Sequence, residues 1–122
     1  MIAYDLDGTL CTETPFNKLD NILYKIFGES YARFRKLFEK PLYYPHTDYT
    51  IITCRNWRNR RRTLYWLNRW GYRSKNVLFA SDLFQKAEII KSLGVDVYYD
   101  NSSVMRQTLK SICPNTLFKG IE

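Results

Sequence analysis

Long apolar runs are missing from this sequence, and that absence excludes a membrane-spanning helix as the basis of its function. Histidine is nearly missing too: His46 stands alone, in a proline-flanked loop, where it reads as incidental to any chemistry. The three cysteines, Cys11, Cys54 and Cys113, form no CxxC pair. An odd number with so little histidine excludes a disulfide framework and a zinc site, and fits a reducing, cytoplasmic setting. Repeats, linkers and low-complexity tracts are also lacking, so the expected unit is a single domain over residues 1–122. No basic stretch precedes the first apolar residues and acids interrupt them by position 5, so the N-terminus reads as a strand rather than a signal peptide.

One further absence is local. Residues 51–75 carry eight Arg or Lys and no acid, whereas residues 1–50 carry six bases and seven acids, and residues 76–122 carry five of each. The net charge of +7 is therefore the excess of one segment. Such a segment suits an anionic partner, with a solvated basic helix face as the plainer explanation. What is abundant is aromatic surface, 16% of residues within an apolar fraction of 45%, which is enough for a small domain to build a packed core.

Along the chain, strand and helix patterns alternate. Met1–Tyr4 is a short apolar run ending at Asp5 and broken by Gly8. Residues 17–40 have helical spacing, divided at Gly28, with Ser30 expected to cap a second helix. Tyr49–Thr53, Asn76–Ala80, Val95–Tyr99 and Thr116–Ile121 read as strands, and Arg58–Trp70, Phe84–Leu93 and Ser103–Ile112 as helices. This is the pattern of an α/β domain around a parallel sheet, whose site lies beyond the C-terminal ends of the strands. The residues there are Asp5 with Asp7, Thr53 with Arg55, and Asp100 with Asn101, while Lys86 opens the helix before the fourth strand.

That set has a definite chemistry. Clustered carboxylates repel one another, and a hard divalent cation such as Mg²⁺ relieves the repulsion and can hold a phosphate oxygen. Thr53 can donate a hydrogen bond to a second phosphate oxygen and Lys86 can neutralise part of the charge. One carboxylate can attack phosphorus, and another can protonate the leaving oxygen and later deprotonate water.

At this point the residues resemble a known family. Asp5-Leu6-Asp7-Gly8-Thr9-Leu10 is similar to the DxDGT signature of the haloacid dehalogenase superfamily of phosphatases. Ile51-Ile52-Thr53, Lys86 and Val97-Tyr98-Tyr99-Asp100 resemble its other three motifs, in the same order, so the likeness spans residues 5–100. The resemblance implies a three-layer Rossmann-like fold. It makes Asp5 the nucleophile, Asp7 the general acid and base, and Thr53 and Lys86 the holders of the phosphoryl group. Mg²⁺ would be held by Asp5, Asp100 and the main-chain carbonyl of Asp7. Asn101 departs from the pattern, since many members carry a second acid there, and weaker metal affinity is expected. About forty residues separate the first two motifs, room for a helical crossover or minimal cap over 11–46 but not for a full cap domain. An open site suits a large substrate. Arg55 and the following arginines could hold further phosphates, and Trp57, Tyr43 and Tyr44 could stack a base. The stretch from Thr53 to Leu67 is also similar to the Thr/Ser-x-Arg segment, with a following Thr and Trp, of polynucleotide kinase phosphatase domains and of acid-phosphatase-like members of the superfamily. A nucleotide or nucleic-acid terminal phosphate is the expected substrate.

Competing readings account for fewer residues. A calcium loop needs further oxygen ligands and a Glu twelve positions along, which Tyr4–Cys11 lacks. Cys54 to Arg60 formally satisfies the C-x5-R loop of cysteine phosphatases, but it contains Trp57 and no glycine and leaves the three aspartates unexplained. A receiver domain would end a middle strand in Asp, where Thr53 stands. The remaining alternative is a low-turnover protein of the same fold that uses its basic 55–75 segment to bind nucleic acid or a protein partner.

Overall fold

The computed structural model describes residues 1–12, 19–31 and 39–121. Five strands form one all-parallel sheet: β1 (Ile2–Tyr4), β2 (Thr50–Thr53), β3 (Val77–Phe79), β4 (Val97–Tyr99) and β5 (Leu117–Lys119), in the order β3-β2-β1-β4-β5. The helices are α1 (Asp20–Phe27), α2 (Arg60–Arg69), α3 (Leu83–Leu93) and α4 (Ser103–Ile112). The architecture is Rossmann-like, as the alternating pattern predicts.

Side chains alternate across each strand, and this places helices on both faces of the sheet. Tyr4 and Ile51 point to one face and pack with Trp66 and Leu67 of α2 and with Tyr72. Ala3, Ile52 and Tyr98 point to the other and pack with Ala87 and Ile90 of α3 and Leu109 of α4. Tyr4 is enclosed by other rings, stacked on Tyr99 at 4.6 Å and edge-on to Tyr49 at 5.6 Å. Parallel strands buried on both sides need continuous apolar runs, which is why stretches of only three or four residues are so legible.

Local stop and start signals explain most boundaries. Asp82 caps α3 by accepting a hydrogen bond from the Gln85 N–H at 2.8 Å, and Gly94 ends it in the left-handed region at φ 63°. Ser102 caps α4 in the same way through the Met105 N–H. The strands are shorter than the sequence predicts, by up to two residues at an end. The helix expected from Arg58 begins as a 3-10 turn over Trp57–Asn59, because Asn56 accepts from the Arg58 N–H and starts the turn early.

The first half holds the main departures. Gly28 ends α1 as expected, but helical backbone resumes at Glu29, so Ser30 lies inside the next turn instead of capping it. Ile22, Ile26 and Phe27 of α1 are exposed, and Tyr24 packs with Tyr31 and Leu23 in a small cluster of its own. Part of the crossover expected over 11–46 lies outside the described residues. Among the described residues no helix is long and apolar enough to cross a membrane.

Candidate functional site

The chain runs outward from central β1 to β2 and β3 on one side, then returns to β4 and β5 on the other. The order therefore reverses between β1 and β4, and a crevice opens there beyond the strand tips. Tyr4 and Tyr99 are register partners, so the next residues, Asp5 and Asp100, emerge side by side. The Asp5 N–H continues the ladder to the Tyr99 carbonyl at 2.9 Å, and the Asp100 N–H to that of Lys119 at 2.8 Å. The crevice has a volume of about 870 Å³, and Asp5, Asp7, Thr53, Arg55, Lys86 and Asp100 all line it. These six residues thus reach one cavity, whereas Trp57, Tyr43 and Tyr44 do not line it.

Asp5 is the centre of the arrangement. Lys86, in the first turns of α3, donates from Nζ to Asp5 Oδ1 at 2.7 Å, and both side chains are largely buried. Burial pushes the Asp5 carboxyl up to about 6; Lys86 pulls it down and the nearby Asp100 and Asp7 charges push it up again. Burial works against the Lys86 ammonium as well, but Asp5 holds it well above its usual range. Lys86 also rests over the buried ring of Tyr98, 5.4 Å from its centroid. Lys91, one helical turn and more further on, is exposed.

Thr53 is buried at the tip of β2, where its Oγ1 accepts from the Arg55 N–H at 3.2 Å. With an acceptor site filled in this way, the hydroxyl proton is left to point at an acceptor in the crevice. Asp100 is buried, its Oδ1 accepting from the Ser102 N–H at 2.9 Å. Asn101 proves to be a staple of the crevice wall. Its amide donates to the Gly8 carbonyl at 3.2 Å, its main chain donates to Thr9 Oγ1 at 3.1 Å, and its Oδ1 accepts from Ile121 at 2.7 Å. Gly8 itself sits at φ 80°, a conformation that favours glycine and lets the chain fold back to bond Cys11.

Arg55 departs from expectation. Instead of offering its guanidinium to a substrate phosphate, it buries it against Asp7, with Nη2 and Nε 2.8 and 3.1 Å from the two carboxylate oxygens. The same guanidinium reaches Glu39 at 3.1 Å, Thr63 Oγ1 at 3.1 Å and Cys11 Sγ at 3.3 Å. A planar fork of donors suits this: Arg55 reaches Asp7, Glu39 and Thr63 from three separate nitrogens, where Lys would offer one. Glu39, Thr63 and Cys11 went unread in the sequence, because nothing local marks residues brought together from three elements.

Cys54 opens onto the crevice, yet partial desolvation and the carboxylates of Asp5, Asp82 and Asp100 raise its pKa against the pull of Lys86. A cysteine nucleophile needs the opposite shift. Tyr43 and Tyr44 stack on Tyr4 at 6.1 Å and on Tyr72 at 4.5 Å respectively; Tyr44 keeps an exposed surface, and Trp57, next to crevice-lining Asn56, is the more exposed ring.

No protein-family model matches the sequence, and no curated protein or solved structure matches the chain. What the site can do therefore rests on its own geometry.

Proposed function

We propose that this chain is a magnesium-dependent phosphomonoester hydrolase of the haloacid dehalogenase type, with Asp5 as nucleophile. The observation that carries the reading is the buried Asp5 carboxylate at the tip of β1, bonded by Lys86 at 2.7 Å with Asp100 and Thr53 on the adjoining strand tips. Asp5 attacks phosphorus while the bond to the ester oxygen breaks, giving an aspartyl phosphate and a free alcohol. Thr53 Oγ1 and Lys86 Nζ hold phosphoryl oxygens. Water then attacks the same phosphorus, freeing inorganic phosphate and restoring the carboxylate.

Asp7 supplies the leaving oxygen with a proton and takes one from the incoming water. An ion pair with Arg55 disfavours the protonated acid, so Asp7 must turn away from the guanidinium to act. Glu39 makes that turn tolerable, since it keeps Arg55 paired when Asp7 leaves. Mg²⁺ fits the donor set: hard oxygens only, from Asp5, Asp100 and the Asp7 main-chain carbonyl. Burial is the main push on the Asp5 carboxyl, and the Asp100 charge beside it adds to that push against the pull of Lys86. Among the described residues no three His, Cys, Asp or Glu side chains form a metal centre; Mg²⁺ commonly takes one or two carboxylates and keeps several waters. When bound it supplies charge neutralisation at a phosphate oxygen.

The test is phosphate release from p-nitrophenyl phosphate with Mg²⁺, with an EDTA control and the Cys54→Ser variant. Release that needs the metal and survives Cys54→Ser is expected; loss in Cys54→Ser alone would transfer the nucleophile to the thiol. A second expectation isolates Asp7. General acid catalysis is worth roughly 10²–10⁴-fold, and it is needed most where the leaving alkoxide is poor. Asp7→Asn should therefore lose far more activity on an alkyl phosphate than on p-nitrophenyl phosphate, and equal losses on both would remove Asp7 from that role. The one feature favouring a low-turnover binding protein is the Asp7–Arg55 pair itself; metal-dependent release decides against it.

A further inference from the structure

The basic segment does not form one face in three dimensions. Arg69, Arg73 and Lys75 follow the end of α2 and lie at the edge of the sheet opposite the crevice, since the helix runs about 15 Å back along it at 1.5 Å per residue. At the crevice end Arg55 is internal and Arg62 pairs with Glu29. That leaves Arg58, Arg60 and Arg61 within four residues of an exposed ring, Trp57, with Arg60 over the ring itself.

Trp57 is 59% exposed and fixed in place. It follows directly on Cys54, Arg55 and Asn56, which line the crevice wall. Its ring packs perpendicular to that of Phe79 at the tip of β3, with centroids 5.6 Å apart, and the Arg60 guanidinium lies 4.0 Å from its centroid. The surrounding charge breaks a local rule. Arg60, Arg61 and Arg62 occupy the first turn of α2, the positive end of the helix dipole, with no acid in that turn and no side-chain cap from Asn59. Glu29 balances Arg62, which leaves Arg60 and Arg61 as the remaining cations of that turn.

We infer that Trp57 with Arg58, Arg60 and Arg61 is a subsite for a single-stranded nucleic-acid end: the base next to the scissile phosphate stacks on Trp57, and the arginines take the following phosphates. The inference rests on the hydrolase reading for the identity of the scissile group. A rigid exposed aromatic ring flanked by cations is the combination that binds single strands without reading sequence. A mononucleotide would leave two of the three arginines unused.

The experiment measures fluorescence anisotropy of a labelled short oligothymidylate carrying a terminal phosphate, with full-length Asp5→Asn protein so that the probe survives. Adding Trp57→Ala should weaken binding roughly ten- to a hundredfold, the loss of one stacked base. Trp57→Phe, which keeps a ring against Phe79, should fall between and guards against misfolding. Arg58→Ser with Arg61→Ser should flatten the slope of log affinity against log salt by about 1.4, at about 0.7 per phosphate contact on single strands. Arg69→Ser, at the far end, should leave that slope unchanged. Unaltered affinity in Trp57→Ala would overturn the inference, as would equally tight binding of a mononucleotide or of an acidic phosphopeptide. Phosphate release by the wild type, measured in parallel, separates the two claims. Release without Trp57-dependent binding overturns the strand subsite alone. Trp57-dependent binding without release supports the subsite and overturns the hydrolase reading.

Discussion

Asp5→Asn should abolish metal-dependent phosphate release, by on the order of 10⁴-fold or more, as expected when the covalent nucleophile of an enzyme is removed. The substitution is nearly isosteric, and it removes a buried charge whose pKa is already pushed up to about 6 by desolvation. The amide can still accept a hydrogen bond from Lys86, but the buried ammonium loses its counter-charge, so the melting temperature should fall while the fold survives. Lost turnover in a protein that still unfolds cooperatively assigns Asp5 to the chemistry, whereas lost turnover with a collapsed fold would assign it to structure. Residual turnover near the wild-type level would mean that another group attacks phosphorus.

The second large effect is on stability. Arg55→Ala should destabilise the fold by about 3–5 kcal/mol, the usual consequence of removing one partner from a buried ion pair. The physical reason is what it leaves behind. The side chains of Asp7 and Glu39, 13% and 4% exposed, would face each other without the cation between them, and Thr63 Oγ1 would lose its donor. Thermal or urea denaturation measures the loss. A double-mutant cycle with Glu39→Gln checks the cause: neutralising Glu39 should recover part of the stability lost in Arg55→Ala, because it relieves the repulsion that substitution creates. A cycle with no coupling would mean that the loss comes from packing of the arginine stem, and the charge box would lose its role. Activity should fall as well, since Asp7 would no longer be held at the crevice wall.

The contrast between Asp5 and Arg55 shows what a sequence of this kind reveals. Asp5, Thr53 and Asp100 end apolar, β-branched or aromatic runs, and a buried parallel strand leaves its mark in four or five consecutive letters. The alternation of those runs with helices implies the sheet, and the sheet implies that the strand tips share one crevice, so four distant polar residues could be brought together before any coordinates. Lys86 was legible for a similar reason, as a cation in the first turns of a well-capped helix.

Arg55 was misread because the same reasoning stops at the strand tip. Two residues past Thr53, in a segment with eight cations and no acid, it reads as part of a surface. Whether such a side chain turns outward or inward depends on a carboxylate sixteen positions earlier, Glu39, which lies in no periodic pattern. The basic segment meets the same limit. Counting charge along a chain cannot show that a ten-residue helix carries its two ends to opposite edges of a sheet. In α1, helical spacing located the element, but its apolar residues Ile22, Ile26 and Phe27 are exposed, because periodicity identifies a face without saying what covers it.

The central claim, attack by Asp5 on phosphorus, is tested most directly by trapping the covalent species. Wild-type protein would be mixed with a phosphate monoester and Mg²⁺, quenched in acid within one turnover, digested and mapped by mass spectrometry. The account predicts one phosphoryl group on the peptide containing Asp5, removed by hydroxylamine as an acyl phosphate is, and absent from Asp5→Asn. A phosphoryl group on Cys54, or turnover with no phosphorylated peptide in the quenched sample, would contradict it.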